Sequence, residues 1–486
     1  MTPIYNYLIF NIFILLSLFK KENCVIYLPF KIVNQDGSNN NLNPTSFLKS
    51  LNNTQIYSEL LIGTPSQKIG VFFVSNIYEL NLFENMCDIS TSFYSKNESS
   101  SYKFIENIKY VYNRVLNCSI INESIYLYTD KDQKNKIALE GLNIIYSDNK
   151  KEDYKEDIYD KKEYEYHPNT CLNIGFQSNK KIGFGYDLNF ITQIKHYKKN
   201  GISIIKDYDF TFQYTSNDEG FLVIGEKPHQ FEPNNFHEEQ FLSVGSKNRK
   251  LTSEWYFDFD NIYYNGIRIN DNSKYNSSFY TDSSVKFDLS FGLIEGTSNY
   301  EENIKKDFFN TLIDKQICFS EEVNNIYRIY YCDKKNSEDY IKKYFPTLNF
   351  CIKQIGFCFS FDYEDLFKEK DEKVYFLVYF KLKSDYNQLT LGQILIKKYV
   401  LTFNYDNNLI GFYNKNIEIE PKDKKNSEKD GNKYDIKLII IFIVCIIVFI
   451  VVGFLLGKKI YDKARKKKAN ELVDDYDYES HDINPD

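Results

Sequence analysis

Several residue types that often mark a ligand or metal site are scarce in this sequence of 486 residues. It contains five histidines and no Cys-x-x-Cys pair, and its net charge is -7, with lysines and acidic residues interspersed. A zinc ribbon is therefore disfavoured, and the histidines lack partners at the spacing that a metal or a serine–histidine mechanism needs. The absence of a basic excess argues against a nucleic acid partner. We expect no cofactor and no metal.

Glycine is also scarce, with 20 residues, whereas tyrosine is abundant, with 42. The chain is nevertheless 43% hydrophobic and 17% aromatic, which is enough for a sizeable core. Its length allows one large bilobal unit or two to three ordinary domains.

An apolar segment near each end predicts targeting to a membrane. Residues 5–19 are mainly apolar and precede two lysines, which predicts a signal peptide over residues 1–23. Because a basic beginning is missing, an uncleaved anchor stays open. Residues 438–456 are uncharged and apolar, which predicts a transmembrane helix over residues 437–457.

The charges around the second apolar segment predict its orientation. A charged stalk, residues 415–436, precedes it, and a lysine-rich tail, residues 458–486, follows it. Basic residues favour the cytoplasmic side. The sequence therefore predicts a single-pass type I protein of a secretory-pathway membrane or the cell surface, with its large domain lumenal or extracellular.

The cysteines and sequons fit that compartment. Besides Cys24 and Cys445, seven cysteines remain, and this odd number leaves a free thiol or a bond to Cys24. Cys87 and Cys118 are predicted to pair across a loop. Among Cys318, Cys332, Cys351 and Cys358 three pairings are open, and Cys332 with Cys358 is preferred. The sequons that predict N-glycans lie at Asn52, Asn97, Asn117, Asn122 and Asn276.

The stretch from Asn53 to Leu82 predicts a hairpin, because two runs of branched and aromatic residues flank Gly63-Thr-Pro65. Its turn, Ile62-Gly-Thr-Pro-Ser-Gln67, resembles the turn before the first catalytic loop of pepsin-like aspartic endopeptidases. The segment from Leu389 to Phe412 resembles the closing segment of that family. The strand pair Tyr208–Tyr214 and Gly220–Gly225 resembles the hairpin that ends the first lobe in that family. The segment Phe345-Pro-Thr-Leu-Asn-Phe350 resembles the family's Leu-Pro-x-Leu-x-Phe segment.

The resemblance extends from about residue 25 to residue 414 and implies an all-β, bilobal pepsin-like fold with short helices. The N-terminal lobe is expected over residues 24–235 and the C-terminal lobe over residues 236–414. Residues 34–52, rich in Asn, Ser and Pro, are predicted to form a loop. Helices are predicted over residues 190–197 and 300–315.

The same resemblance places the catalytic loops. Family members use two aspartates that share one proton across a water. Val74 stands where the first aspartate belongs. Asp288 aligns with the second and is favoured, with Asp282 as the alternative; a serine, Ser290 or Ser284, then replaces the loop glycine. Tyr128 is matched to the tyrosine of the flap, the hairpin that closes over substrate.

A single carboxylate cannot run the dyad mechanism, so the sequence predicts a divergent, membrane-anchored aspartic protease homologue with little or no activity. We expect it to bind a peptide or protein partner in the cleft between its lobes. Two alternatives stay open: an active aspartic endopeptidase with a degenerate site, and a structural or adhesion protein of the cell surface.

Overall fold

The computed structural model describes residues 24–34, 43–52, 54–74, 80–83, 94–112, 114–147, 172–175, 188–246, 255–269, 284–289, 291–323, 325–382, 389–417 and 456–463, with positions 453 and 465. Residues 1–417 form one compact unit, and residues 418–486 form a second. In the second unit, residues 456–463 are helical.

The predicted membrane segments fall largely outside these residues. The signal peptide and nearly all of the stalk are not covered, and of the predicted span 437–457 the description includes positions 453, 456 and 457. Within the described ranges, no helix is both long and apolar enough to cross a bilayer.

The N-terminal half of the first unit is mostly strand, as predicted. Its elements are β1 (Ile26–Asn34), α1 (Pro44–Asn52), β2 (Thr54–Ile62), β3 (Gln67–Val74), β4 (Leu80–Phe83), β5 (Lys103–Tyr112), β6 (Arg114–Tyr128), β7 (Lys136–Ser147), β8 (Leu172–Gly175), α2 (Phe190–His196), β9 (Lys198–Lys199), β10 (Ile202–Ser203), β11 (Asp209–Tyr214), β12 (Glu219–Ile224) and α3 (Pro228–Phe231).

The C-terminal half is also mostly strand. Its elements are β13 (Phe241–Gly245), β14 (Tyr256–Asp258), β15 (Asn261–Tyr264), β16 (Ile267–Arg268), β17 (Ser284–Phe287), β18 (Ile294–Gly296), α4 (Ser298–Ile304), α5 (Asn310–Asp314), β19 (Cys318–Val323), β20 (Tyr327–Asp333), α6 (Lys334–Tyr344), β21 (Leu348–Ile352), β22 (Phe357–Phe361), α7 (Tyr363–Leu366), β23 (Phe367–Lys370), β24 (Lys373–Phe376), β25 (Val378–Lys381), β26 (Thr390–Leu391), α8 (Gln393–Lys398), β27 (Thr402–Asn404) and β28 (Leu409–Tyr413).

The predicted hairpin is formed by β2 and β3, which pair from Tyr57 opposite Phe72 to Ile62 opposite Gln67. Every second residue of β2 from Ile56 to Ile62 is buried, as expected for a strand with one face on a core, and Tyr57 is buried as well. Gly63 turns the chain with a φ of +83°, a conformation that L side chains rarely adopt.

The two halves share a central sheet. Its strands run in the order β13-β28-β27-β11-β12-β1 before the sheet continues into the first lobe. At the junction Phe210 stacks on Phe403 with ring centroids 5.1 Å apart, and the hydroxyls of Thr211 and Thr402 lie 2.9 Å apart. Trp255, 1% exposed, packs against Phe403. One core therefore extends through both halves.

Each half also contains the same arrangement of four strands. In the first the order is β3-β8-β4-β7, and in the second it is β17-β26-β18-β25. In both sets the first strand runs parallel to the second and the third runs antiparallel to it. This repeat is the internal duplication expected of a bilobal fold.

The prediction of a loop over residues 34–52 is wrong for its second part, because Pro44–Asn52 is the helix α1. Asn43 caps it by accepting a hydrogen bond from Ser46 N at 2.8 Å, and Pro44 occupies the first helical position, where proline is favoured. Phe47 and Leu48 are buried. The predicted helices near residues 190–197 and 300–315 are confirmed as α2 and as α4 with α5.

Candidate functional site

Val74 and Asp288 occupy matching positions in the two four-stranded arrangements. In the first, Phe73 lies opposite Ile174 and Val74 lies opposite Gly175. In the second, Phe287 lies opposite Leu391, so Asp288, the next residue, comes beside the glycine that follows Leu391. The two central strands read Leu-Asn-Ile-Gly and Leu-Thr-Leu-Gly, which keeps them in register.

Asp288 is held at the end of β17, where its side chain is buried. The residue is 3% exposed, and its backbone N–H donates to Leu391 O at 3.0 Å. Its carboxylate Oδ2 lies 3.4 Å from Lys286 Nζ. The carboxylate therefore has a lysine as an ion-pair partner. The rival position, Asp282, lies outside the described residues.

The loop after Asp288 is fixed by Gln393, which is 1% exposed. The Gln393 amide Nε2 donates to Leu289 O and to Thr54 O, each at 3.0 Å. Gly392 has no room for a side chain, since a Cβ would lie 2.1 Å from Phe291 O. This glutamine thus joins the loop to the start of β2.

The end of α1 packs on the same loop. Gly292 N donates to Asn52 O at 3.2 Å, and a Cβ on Gly292 would lie 1.9 Å from Leu51 O. The approach is so close that position 292 requires glycine. A segment between β1 and β2 is therefore seated against the loop that follows Asp288, a contact that the sequence reasoning missed.

The rest of α1 contacts strands of the second half. The Phe47 ring lies 4.5 Å from the Tyr375 ring, with Lys370 Nζ 4.6 Å from the Phe47 ring centre. Thr45 Oγ1 donates to Glu321 Oε2 at 2.9 Å. In the sequence, the apolar pair Phe47 and Leu48 within an otherwise polar stretch was the feature that could have indicated a buried helix here.

Tyr128, the predicted flap tyrosine, ends β6. It lies opposite Tyr27 of β1 and opposite Lys136 of β7. The turn between β6 and β7 is held by an ion pair of Lys131 with Glu232. A flap closes over substrate with a free tip, whereas this hairpin end is anchored. Its role stays a prediction.

A second hairpin precedes that one. Strands β5 and β6 pair from Lys103 opposite Asn122 to Tyr112 opposite Arg114, with one residue between them. The sequence reasoning did not identify it, because only the later hairpin was matched to the flap. It is a further candidate for that element.

The disulfides differ from the preferred pairing of Cys332 with Cys358, which is wrong. Cys318 is bonded to Cys332, and Cys351 is bonded to Cys358. Each pair faces directly across an antiparallel hairpin, β19–β20 or β21–β22, whereas Cys332 and Cys358 belong to different sheets. Cys87 lies outside the described residues, so its predicted bond to Cys118 stays a prediction.

The sequons lie in different surroundings. Asn97 is exposed in a short 3₁₀ helix, Lys96–Glu98, and Asn122 is half-buried with its Nδ2 donating to Asn143 Oδ1 at 2.7 Å. Asn52 Oδ1 is buried. The Asn117 side chain and Asn276 are outside the description. Asn97 is thus the described sequon with the most room for a glycan, and glycosylation stays a prediction.

The described residues contain no cluster of three or more His, Cys, Asp or Glu side chains that could hold a metal ion. The geometry thus presents a buried carboxylate beside a lysine, and a valine at the matching position.

No protein-family model matches the sequence, and no curated protein sequence matches it. Solved structures do match. Basic 7S globulin from soybean has a TM-score of 0.53 at 11% identity, and conglutin gamma, a basic 7S globulin from lupine seeds, has a TM-score of 0.54 at 10% identity. Each match covers 80% of this chain and 95% of the other. At such identity the likeness shows the fold alone, which is the pepsin-like bilobal fold.

Proposed function

We propose that this chain is a pepsin-fold protein without protease activity, which binds an extended peptide or a protein segment between its lobes. The proposal rests on the strand register, in which Val74 and Asp288 occupy equivalent positions of the two four-stranded arrangements. Two adjacent carboxylates divide the acid and base roles because like charges split their pKa values. Valine neither accepts nor donates a proton. Loss of one member of a catalytic set lowers the rate by a factor on the order of 10⁴ to 10⁶.

The surroundings of Asp288 support a binding role. Its carboxylate forms an ion pair with Lys286 Nζ at 3.4 Å. The end of α1 forms a wall beside the loop that follows Asp288, through Gly292 and Asn52. A peptide that reaches Asp288 would pass beside this wall.

The experiment is a binding assay that also shows whether the bound peptides have been cleaved. The full-length protein is incubated at acidic and neutral pH with a mixture of synthetic decapeptides, and retained peptides are identified by mass spectrometry. The expected result is retention of a subset of peptides at full length. Retained or released peptides with new termini would contradict the proposal, and so would the absence of any retained peptide.

We further propose that the protein is anchored by residues 437–457 with its body lumenal or extracellular. The support is the sequence: a long uncharged apolar run followed by clustered lysines. In sealed vesicles, protease added outside should remove only the tail after Lys458. Digestion of the body while the tail is spared would reverse the orientation.

A further inference from the structure

Two disulfides join neighbouring strands in the C-terminal half, and they differ in their access to solvent. Cys318 and Cys332, which face each other across β19 and β20, are 1% and 0% exposed. Cys351 and Cys358 face each other across β21 and β22, where Cys358 is exposed and Cys351 is half-buried. A reagent in solution therefore meets the second bond at the surface, whereas it meets the first only after the fold has opened.

The access to Cys351 and Cys358 follows from the alternation of their strands. Every second residue of each strand is buried, and these are Leu348, Phe350 and Ile352 of β21 with Phe357, Phe359 and Phe361 of β22. Successive side chains of a strand alternate between faces, so both cysteines lie on the outer face of the hairpin. Two residues further along this face, Ser360 Oγ donates to Asn349 Oδ1 at 2.6 Å.

The hairpin is held by other contacts besides its disulfide. β21 and β22 pair along their whole length, and β21 also pairs with β15. The turn is tied to the residue before β15, because Lys353 N donates to Asp260 Oδ2 at 2.5 Å and Asp260 N donates to Cys351 O at 2.9 Å. The bonded cysteines are only 7 residues apart, so the bond constrains the unfolded chain less than one that closes a long loop. These contacts hold the hairpin whether the bond is open or closed.

An exposed disulfide that the surrounding strands do not need has the properties of an exchangeable bond. Exposed disulfides are labile to thiols, whereas buried structural ones resist reduction. We propose that Cys351–Cys358 is a thiol-exchange site whose substrate is a dithiol, and that Cys358 is the sulfur attacked because it is the more exposed of the two. Cys318–Cys332 is the structural bond of the pair.

The exchange balances in two steps. A thiolate of the dithiol attacks Cys358 Sγ, and the electron pair of the S–S bond leaves on Cys351 Sγ, which takes a proton from water. The second thiolate then attacks the substrate's own sulfur in the mixed disulfide and expels Cys358 as a thiolate, which is also protonated. The dithiol is thereby oxidised to a disulfide, and the two cysteines gain two electrons and two protons.

The register of the hairpin favours a dithiol over a monothiol. After the first step the Cys351 thiolate still faces Cys358 across the strands. A monothiol has no second sulfur, so Cys351 expels it and closes the bond again. A dithiol completes the exchange within the mixed disulfide, before a second molecule is needed.

The test is timed alkylation of the full-length protein in detergent micelles under native conditions, with alkylated cysteines identified by mass spectrometry. With dithiothreitol as the dithiol, Cys351 and Cys358 should become alkylated at least about tenfold faster than Cys318 and Cys332, which serve as the internal control. Glutathione, a monothiol, should open the exposed bond at least about tenfold more slowly than dithiothreitol at equal thiol concentration. Equal rates at the two bonds, faster opening of the buried bond, or equal rates with the two thiols would overturn the proposal.

Two controls separate exchange at the native surface from unfolding. The fluorescence of Trp255, which is buried, should stay native while Cys351 and Cys358 are alkylated, and a loss of this signal in step with alkylation would overturn the proposal. In concentrated guanidinium chloride the two disulfides should open at similar rates, because the protection of the buried bond comes from the fold. A preference that persists there would overturn the explanation by exposure.

Single variants test which sulfur is attacked. Cys351→Ser leaves the exposed Cys358 as a thiol, and Cys358→Ser leaves the half-buried Cys351. With oxidised glutathione, the first variant should form its mixed disulfide at least about threefold faster than the second, and equal rates would contradict the assignment of Cys358. Reduced thioredoxin in place of dithiothreitol identifies the source of the dithiol: opening of the bond by thioredoxin assigns a protein substrate, and opening by dithiothreitol alone assigns a small molecule.

Discussion

Replacing Gly292 with alanine tests whether α1 is seated on the loop that follows Asp288. The added Cβ would lie 1.9 Å from Leu51 O and 2.5 Å from Thr54 Oγ1. The nearest atom belongs to the backbone, so no rotamer change relieves the overlap. The end of α1 must move away from the loop.

The magnitude follows from two contributions. Overpacking of a close contact costs about 1–3 kcal/mol. The shift also strains the hydrogen bonds from Gly292 N to Asn52 O and from Thr54 Oγ1 to Leu51 O, and losing one of them costs about 1 kcal/mol. We expect Gly292→Ala to lower the free energy of unfolding by about 2–4 kcal/mol.

The assay is urea denaturation followed by the fluorescence of the single tryptophan, Trp255, which is buried in the shared core. The matched control is Gly245→Ala, because a Cβ there would meet nothing within 4 Å. It should change the free energy of unfolding by less than about 0.5 kcal/mol. If Gly292→Ala is as stable as this control, the contact between α1 and the loop does not exist.

Three further expectations concern α1, Asp209, which is buried, and the disulfides. Phe47→Ala should lower the free energy of unfolding by about 3–5 kcal/mol in the same assay, since the Phe47 ring packs on Tyr375; an effect near zero would contradict this packing. Because burial raises the pKa of Asp209 above its ordinary value of 3.8, stability should fall as pH rises from that value through the raised pKa, and Asp209→Asn should remove this fall; an unchanged pH profile would count against it. Peptide mapping without reduction should recover Cys318 with Cys332 and Cys351 with Cys358, and a Cys332–Cys358 peptide would contradict the hairpin register.

The strand pattern was predictable from the sequence because turn residues and apolar alternation are local features. The turn at Gly63 and the two Leu-x-apolar-Gly segments, Leu172–Gly175 and Leu389–Gly392, are readable in the letters alone. Their register then brings Val74 and Asp288 to matching positions. Turn residues and the pattern of apolar residues along the chain are therefore enough to predict where the strands lie.

Other features depend on contacts between distant segments. The helix α1 was hidden in a polar stretch, and it is stabilised by strands more than two hundred residues later in the chain. The disulfides follow from hairpin registers that cysteine spacing does not determine. Asp209 is buried where β11 pairs with β27, a contact between distant segments, so in the sequence it looks like an ordinary polar residue at the start of a strand.

The most direct test of the central claim is a cleavage assay with the full-length protein. At acidic pH, with denatured protein substrates, we expect no cleavage above background, because Val74 cannot share a proton with Asp288. Val74→Asp alone should restore little, since the rest of both catalytic loops also departs from the pepsin pattern. Appreciable cleavage by the unmodified protein that pepstatin inhibits would contradict the account.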